Sequence, residues 1–144
     1  NSISDVSDME LFERHGKPVE EQTFSDRKAA LEAVLEKLRL EEFETAAVIE
    51  MTQERAKKSA AYLKERMEEL GMDTENRFSV VDRDSTHFKK GLTVTTFYLA
   101  KGLEFDQVFG VFAENADDGL IRQAKYIAAT RALHELHMYE YQGQ

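Results

Sequence analysis

A chain of 144 residues, 42% hydrophobic and 33% charged, is sized and composed for one soluble globular domain that closes its own core. The absence of cysteine excludes disulfides, thiolate zinc sites and a cysteine nucleophile, and no apolar run approaches the length of a membrane span. A net charge of -9 excludes a phosphate-gripping surface spread over the whole chain, so contact with nucleic acid has to be local.

Asn1 to Asp5 lack the basic and apolar regions of a signal peptide, and there is no initiator Met. The expectations are a cytoplasmic location and a fragment or processed product. Residues 1–20 read as a polar lead-in, with a loop at Gly16-Lys17-Pro18, and residues 21–144 as the domain. Ser25 is the expected N-cap of a helix from Asp26 to about Leu40, whose Ala30, Leu31, Val34, Leu35 and Leu38 share one face. Thr45 to Met51 reads as a buried strand. Thr52 caps a helix to about Leu70 with Ala56, Ala60, Leu63, Met67 and Leu70 on one side, and Gly71 ends it.

Phe78 to Val81 reads as a strand and Asp82 to Gly91 as a charged loop. Leu92 to Phe97 and Gln107 to Phe112 follow as strands. Asp117-Asp118-Gly119 suits a turn into a helix with Leu120, Ile121, Ala124, Ile127 and Ala128 on its stripe, and Glu135 to Tyr141 is a last strand. Strands alternating with helices predict an α/β fold, a mostly parallel sheet with helices on both faces.

Two segments stand out. The first is Thr95-Thr96-Phe97-Tyr98-Leu99-Ala100-Lys101-Gly102-Leu103-Glu104-Phe105-Asp106, the second Arg122-Gln123-Ala124-Lys125-Tyr126-Ile127-Ala128-Ala129-Thr130-Arg131-Ala132. The first joins two parallel strands. Ligands of open α/β sheets bind at the carboxyl ends of strands, and the loop is expected there. Gly102 permits close backbone approach, and Lys101, Glu104 and Asp106 supply charge. Alone, this segment also reads as an ordinary charged connection, and Arg131 as a partner of a helix C-terminus.

Together, in this order and separation, the segments resemble motifs V and VI of UvrD/Rep-like superfamily 1 helicases. The likeness rests on Ala100 to Asp106, then Tyr126 and Thr130-Arg131-Ala132. Tyr-Leu-Ala-Lys-Gly-Leu-Glu-Phe-Asp with Thr-Arg-Ala-Leu-His-Glu-Leu is most similar to the HelD-like branch, whose members are associated with bacterial RNA polymerase. The short stretch between Leu70 and Leu92 leaves no room for the helical insertion of UvrD and Rep.

The resemblance implies a C-terminal RecA-like domain. Arg131 would be an arginine finger to the γ-phosphate, Glu104 the ribose contact, and Gly102 the residue that lets the loop approach the nucleotide. Thr96, Tyr98 and Lys101 fall where the family contacts the nucleic acid and couples it to ATP. Arg122 sits at a position that is often basic. Tyr98 replaces a usual histidine, and it suits either stacking on a base or core packing. Ala124-Lys125 replaces an apolar pair, so Lys125 is expected to face solvent or phosphate.

No phosphate-binding loop of the G-x-x-x-x-G-K-[ST] type is present, because Gly16-Lys17 is followed by Pro18. No Asp-Glu pair is present to hold magnesium. The expectation is therefore half of a composite site, with ATP and Mg2+ bound mainly by an N-terminal RecA-like domain of the same protein. DNA is the expected second partner and RNA polymerase an alternative one, with the acidic charge helping to dock a basic partner. A degenerate scaffold would have lost Glu104 or Arg131, and neither is lost.

Other constellations read as structural. His134 and His137 point to opposite faces of a strand with no third ligand, so no metal site is expected. Asp82-x-Asp84 lacks the glycine and glutamate of a calcium loop. Ser25-x-x-Lys28 lacks companion motifs. Glu65, Glu68 and Glu69 form a solvated helix face, and Phe109, Phe112, Tyr139 and Tyr141 are core.

Overall fold

The computed structural model describes residues 18–41, 43–83, 90–115 and 118–143. The lead-in as far as residue 17, Asp84 and Asp117 lie outside them. The described elements are β1 (Val19–Phe24), α1 (Arg27–Leu40), β2 (Thr45–Glu50), α2 (Gln53–Glu69), β3 (Phe78–Val80), β4 (Gly91–Thr96), β5 (Phe105–Ala113), α3 (Asp118–Arg131) and β6 (Ala132–Tyr141). They build a six-stranded sheet in the order β1-β6-β5-β2-β4-β3, and every described pairing is parallel.

Helices cover both faces, so the inner strands are buried almost throughout, as a parallel sheet requires. On one face α1 and α2 set Leu31, Leu35, Leu63 and Met67 against Val48, Val94, Phe109 and Tyr139. On the other, α3 brings Ala124, Ile127 and Ala128 onto Ala47, Ile49, Val108 and Phe112. The apolar spacing of α1 and α2 selects these buried faces as expected, but Leu120 of the α3 stripe is 47% exposed.

Several sequence expectations need correction. The N-cap of α1 is Asp26, not Ser25, and its carboxylate accepts from the Ala29 amide at 2.8 Å. Val19 and Glu20 belong to strand β1 rather than to a lead-in. Gly91 opens β4 instead of closing a loop. Helix α3 runs directly into β6, which begins at Ala132 and not at Glu135. Gly71 ends α2 as expected: at φ 77 it donates to the Glu68 carbonyl, and Met72 donates to Met67, which satisfies two end-of-helix carbonyls.

Register fixes the two edges of the sheet. Glu50 of β2 lies beside Thr96, and Ala46 lies beside both Leu92 and Gln107. Phe105 is level with Ala132. The ends of β2 and β4 therefore share the carboxyl edge, and the starts of β5 and β6 share the opposite, amino edge.

Candidate functional site

The first motif segment begins where β4 ends. The Thr96 carbonyl accepts from the Leu99 and Ala100 amides at 3.2 and 3.0 Å, and Thr96 Oγ1 also accepts from Leu99 N at 3.3 Å. This turn leaves Thr96 fully buried and Tyr98 39% exposed, with Phe97 edge-on to the Tyr98 ring at 5.3 Å. Leu103 N donates back to Ala100 O at 3.0 Å, and Gly102 has φ 85. Phe97, Ala100 and Leu103 pack on the α3 face, so residues 97–104 descend along that face to the start of β5.

The loop thus does not sit wholly at the carboxyl ends of the strands, as its place between two strands suggests. Thr96 and Tyr98 lie at the carboxyl edge. Gly102 and Glu104 lie at the amino edge, because β5 has to restart there to run parallel. Lys101, exposed, is on the descent between them.

Arg131 reaches the same amino edge from the last turn of α3. Its Nη1 donates to the Leu103 carbonyl at 3.3 Å and its Nε to Thr130 Oγ1 at 3.3 Å. Thr130 in turn donates to the Ile127 carbonyl at 2.8 Å. Arg131 Nη2 and the exposed Glu104 carboxylate have no partner among the described residues. The fold therefore gathers Gly102, Glu104 and Arg131, and it separates Thr96 and Tyr98 from them. Arg122 is exposed near the start of α3, roughly 13 Å along the helix from Arg131. Lys125, partly exposed, pairs with Glu140.

Asp106 is bound up in structure. Its Oδ2 accepts from the Glu44 and Thr45 amides at 3.1 and 3.2 Å, and its own amide donates to Thr45 Oγ1 at 2.9 Å. His134 is exposed, while His137 is buried, 2.7 Å from Glu20 and stacked on Phe109 at 4.4 Å, so the two histidines do not converge.

Sequence reasoning misses a buried carboxyl at the carboxyl edge. Glu50, the last residue of β2, is fully buried and accepts from Ser59, to which Arg27 donates at 3.3 Å. Nearby, Arg55 donates to Tyr141 OH at 2.5 Å. Burial pushes the Glu50 carboxyl up to about 7, and Ser59, Arg27 and Arg55 only partly offset it. The one signal in the sequence is an acid inside an apolar strand, Val48-Ile49-Glu50-Met51.

Residues 91–139 match the model of the UvrD-like helicase C-terminal domain family. No curated protein matches the chain. Among solved structures, the C-terminal domain of a possible DNA helicase from Lactobacillus plantarum WCFS1 aligns with a TM-score of 0.66 at 24% identity, over 86% of this chain and 73% of that one. The Arterivirus nonstructural protein 10 helicase, solved with DNA, aligns with a TM-score of 0.54 at 10% identity, over 88% of this chain and 30% of its own. The parallel α/β fold is similar to that of these helicase domains, and the UvrD-like match covers both motif segments. No helix among the described residues is long and apolar enough to cross a membrane.

Proposed function

We propose that this chain is the C-terminal motor domain of an ATP-dependent DNA helicase or translocase, and that its amino edge is one half of a composite ATP site. The observation that carries the reading is the junction of the two motif segments. Arg131 is anchored through Nη1 on the Leu103 carbonyl and keeps Nη2 without a partner among the described residues, beside the exposed Glu104. A guanidinium held by one arm is oriented in advance and still able to pair with phosphate oxygens. Glu104 suits a ribose hydroxyl, and the left-handed backbone at Gly102 keeps the connecting turn free of a side chain.

These residues fit the distal end and the sugar of a nucleotide whose Mg2+ and remaining phosphates are held by an N-terminal RecA-like domain. Bound MgATP supplies the bond to be cleaved, and Arg131 stabilises charge that develops on the γ-phosphoryl oxygens. At the carboxyl edge, Thr96 fixes the turn that presents Tyr98 for stacking on a DNA base, and Lys101 adds a cation between the two edges. The likeness to a helicase solved with DNA supports DNA as the polymer.

The test is steady-state ATPase of the two-domain protein. Arg131→Ala should lower kcat, Glu104→Ala should chiefly raise KM for ATP, and Tyr98→Ala should blunt stimulation by single-stranded DNA. Three variants with wild-type kinetics would defeat the reading.

A further inference from the structure

The amino edge also carries a recess of about 760 Å³. Its walls include Phe43, Arg77, Lys90, Asp106, Gln107 and Glu135. Gln107 precedes Phe109 by two residues on β5 and so shares the α1/α2 face, away from Arg131.

Of the cations in the recess, Lys90 is paired with an acid and Arg77 is held by a carbonyl. Lys90 Nζ lies 2.7 Å from Glu44, and Arg77 Nη2 donates to the Phe43 carbonyl at 3.1 Å. Among the acceptors, Gln107, Glu135 and Asp106 each keep an oxygen without a hydrogen bond among the described residues. Gln107 is only 4% exposed, and its Oε1 is buried without a hydrogen-bond partner. Glu135 meets His137 Nε2 through one oxygen at 3.2 Å, and Asp106 Oδ1 has the exposed His134 at 3.7 Å. A buried acceptor left unmade is costly, and a ligand that donates to it removes that cost. The carboxylates repel phosphate, and no group of three metal-binding side chains occurs among the described residues.

We propose that this recess is a docking site for an arginine side chain presented by a partner protein. A planar guanidinium carries several donors in one fork, enough to meet Gln107 Oε1 and the Glu135 carboxylate together, and Phe43 lines the cavity for the aliphatic stem. The chain's charge of -9 favours approach of a basic partner. The site is independent of the nucleotide reading, since Gly102, Glu104 and Arg131 are not among its walls.

The test is an NMR titration of the whole chain with a short capped arginine peptide, read at the Gln107 side-chain amide. The expected result is a saturable shift that the same peptide with citrulline does not produce. Gln107→Leu, which removes the unpartnered amide and should fold, is expected to weaken binding about tenfold or more, as is Glu135→Gln. Three outcomes would overturn the proposal. One is shifts spread over surface acids such as Glu65, Glu68 and Glu69 without saturation at Gln107. Another is equal binding of the citrulline peptide. The third is a Gln107→Leu variant that binds the arginine peptide as tightly as the unaltered chain.

Discussion

Gly91 and Gly102 both have left-handed backbones, at φ 102 and 85, yet they differ in what surrounds them. A Cβ on Gly91 would lie 2.2 Å from the Arg77 carbonyl oxygen, whereas one on Gly102 would meet nothing within 4 Å. Gly102→Ala should therefore cost only the backbone strain, roughly 1–2 kcal/mol. Gly91→Ala adds a clash with backbone and should cost well above 3 kcal/mol; thermal melts of the two variants check the order. Arg131 separates function from stability in a similar way. In the two-domain protein Arg131→Ala should lower ATP turnover by roughly 10³- to 10⁵-fold. Arg131→Lys should rescue poorly, because it keeps the charge but loses the fork. The melting curve of the variant chain should move little, because the side chain is only half-buried and makes one long-range hydrogen bond. Near-normal turnover would remove Arg131 from the mechanism, and a collapsed melt would make its role structural. The residue types at Gly102, Glu104 and Arg131 were readable from the motif segments. Their meeting through the Leu103 carbonyl was not, because it depends on β5 restarting at the edge where α3 ends.

At the scale of elements, the end of β2 is held to α2 and α1 through Glu50, Ser59 and Arg27, and Arg55 ties α2 to Tyr141 of β6. The folded carboxyl of Glu50 titrates near 7, and burial sets that value against an unfolded 4.5. Between those values the folded state binds the extra proton, so this group's contribution to stability falls as pH rises from about 4.5 to 7. Glu50→Gln should therefore leave stability near pH 5 almost unchanged and raise it at pH 8, by up to about 3 kcal/mol. Urea unfolding at the two pH values checks this, and a variant equally destabilised at both would refute it. Glu20 runs the other way. Burial raises its carboxyl, but hydrogen bonds from His137 and Tyr139 outweigh this and hold it below the usual range. The pairing of β1 with β6 should thus weaken as pH falls through that lowered value. Helices α1 and α2 were legible because burial on one side imprints a three- and four-residue spacing. β1 was not, because Val19–Phe24 is an edge strand with three exposed positions and no alternation strong enough to read. The start of β6 was hidden for a different reason: α3 passes into it with no turn residue between Arg131 and Ala132.

For the whole molecule, the proposed function divides the labour between the two edges of the sheet, and the charge limits what the chain does alone. Gly102, Glu104 and Arg131, the residues proposed to meet the nucleotide, sit at the amino edge, and Thr96 and Tyr98 sit at the carboxyl edge, joined by residues 97–104 packed along the α3 face. Without a phosphate-binding loop of its own, the isolated chain should not hydrolyse ATP, and calorimetry should find no sub-micromolar affinity for it. DNA binding should be weak as well. The net charge of -9 repels phosphate, and apart from Arg131, which is proposed for the nucleotide, the cations on or near the loop are few: exposed Lys101 and Arg122, since Lys125 is paired with Glu140. Each phosphate neutralised on a single strand contributes about -0.7 to the slope of log K against log salt. Two contacts at most give a slope near -1.4, with the rest of the affinity coming from stacking on Tyr98. Fluorescence anisotropy with a labelled oligonucleotide over a range of salt should show that shallow slope, and Tyr98→Ala should remove most of the residual binding without altering it. A slope several times steeper, or tight binding at physiological salt, would mean that a cluster of cations elsewhere on the chain holds the strand.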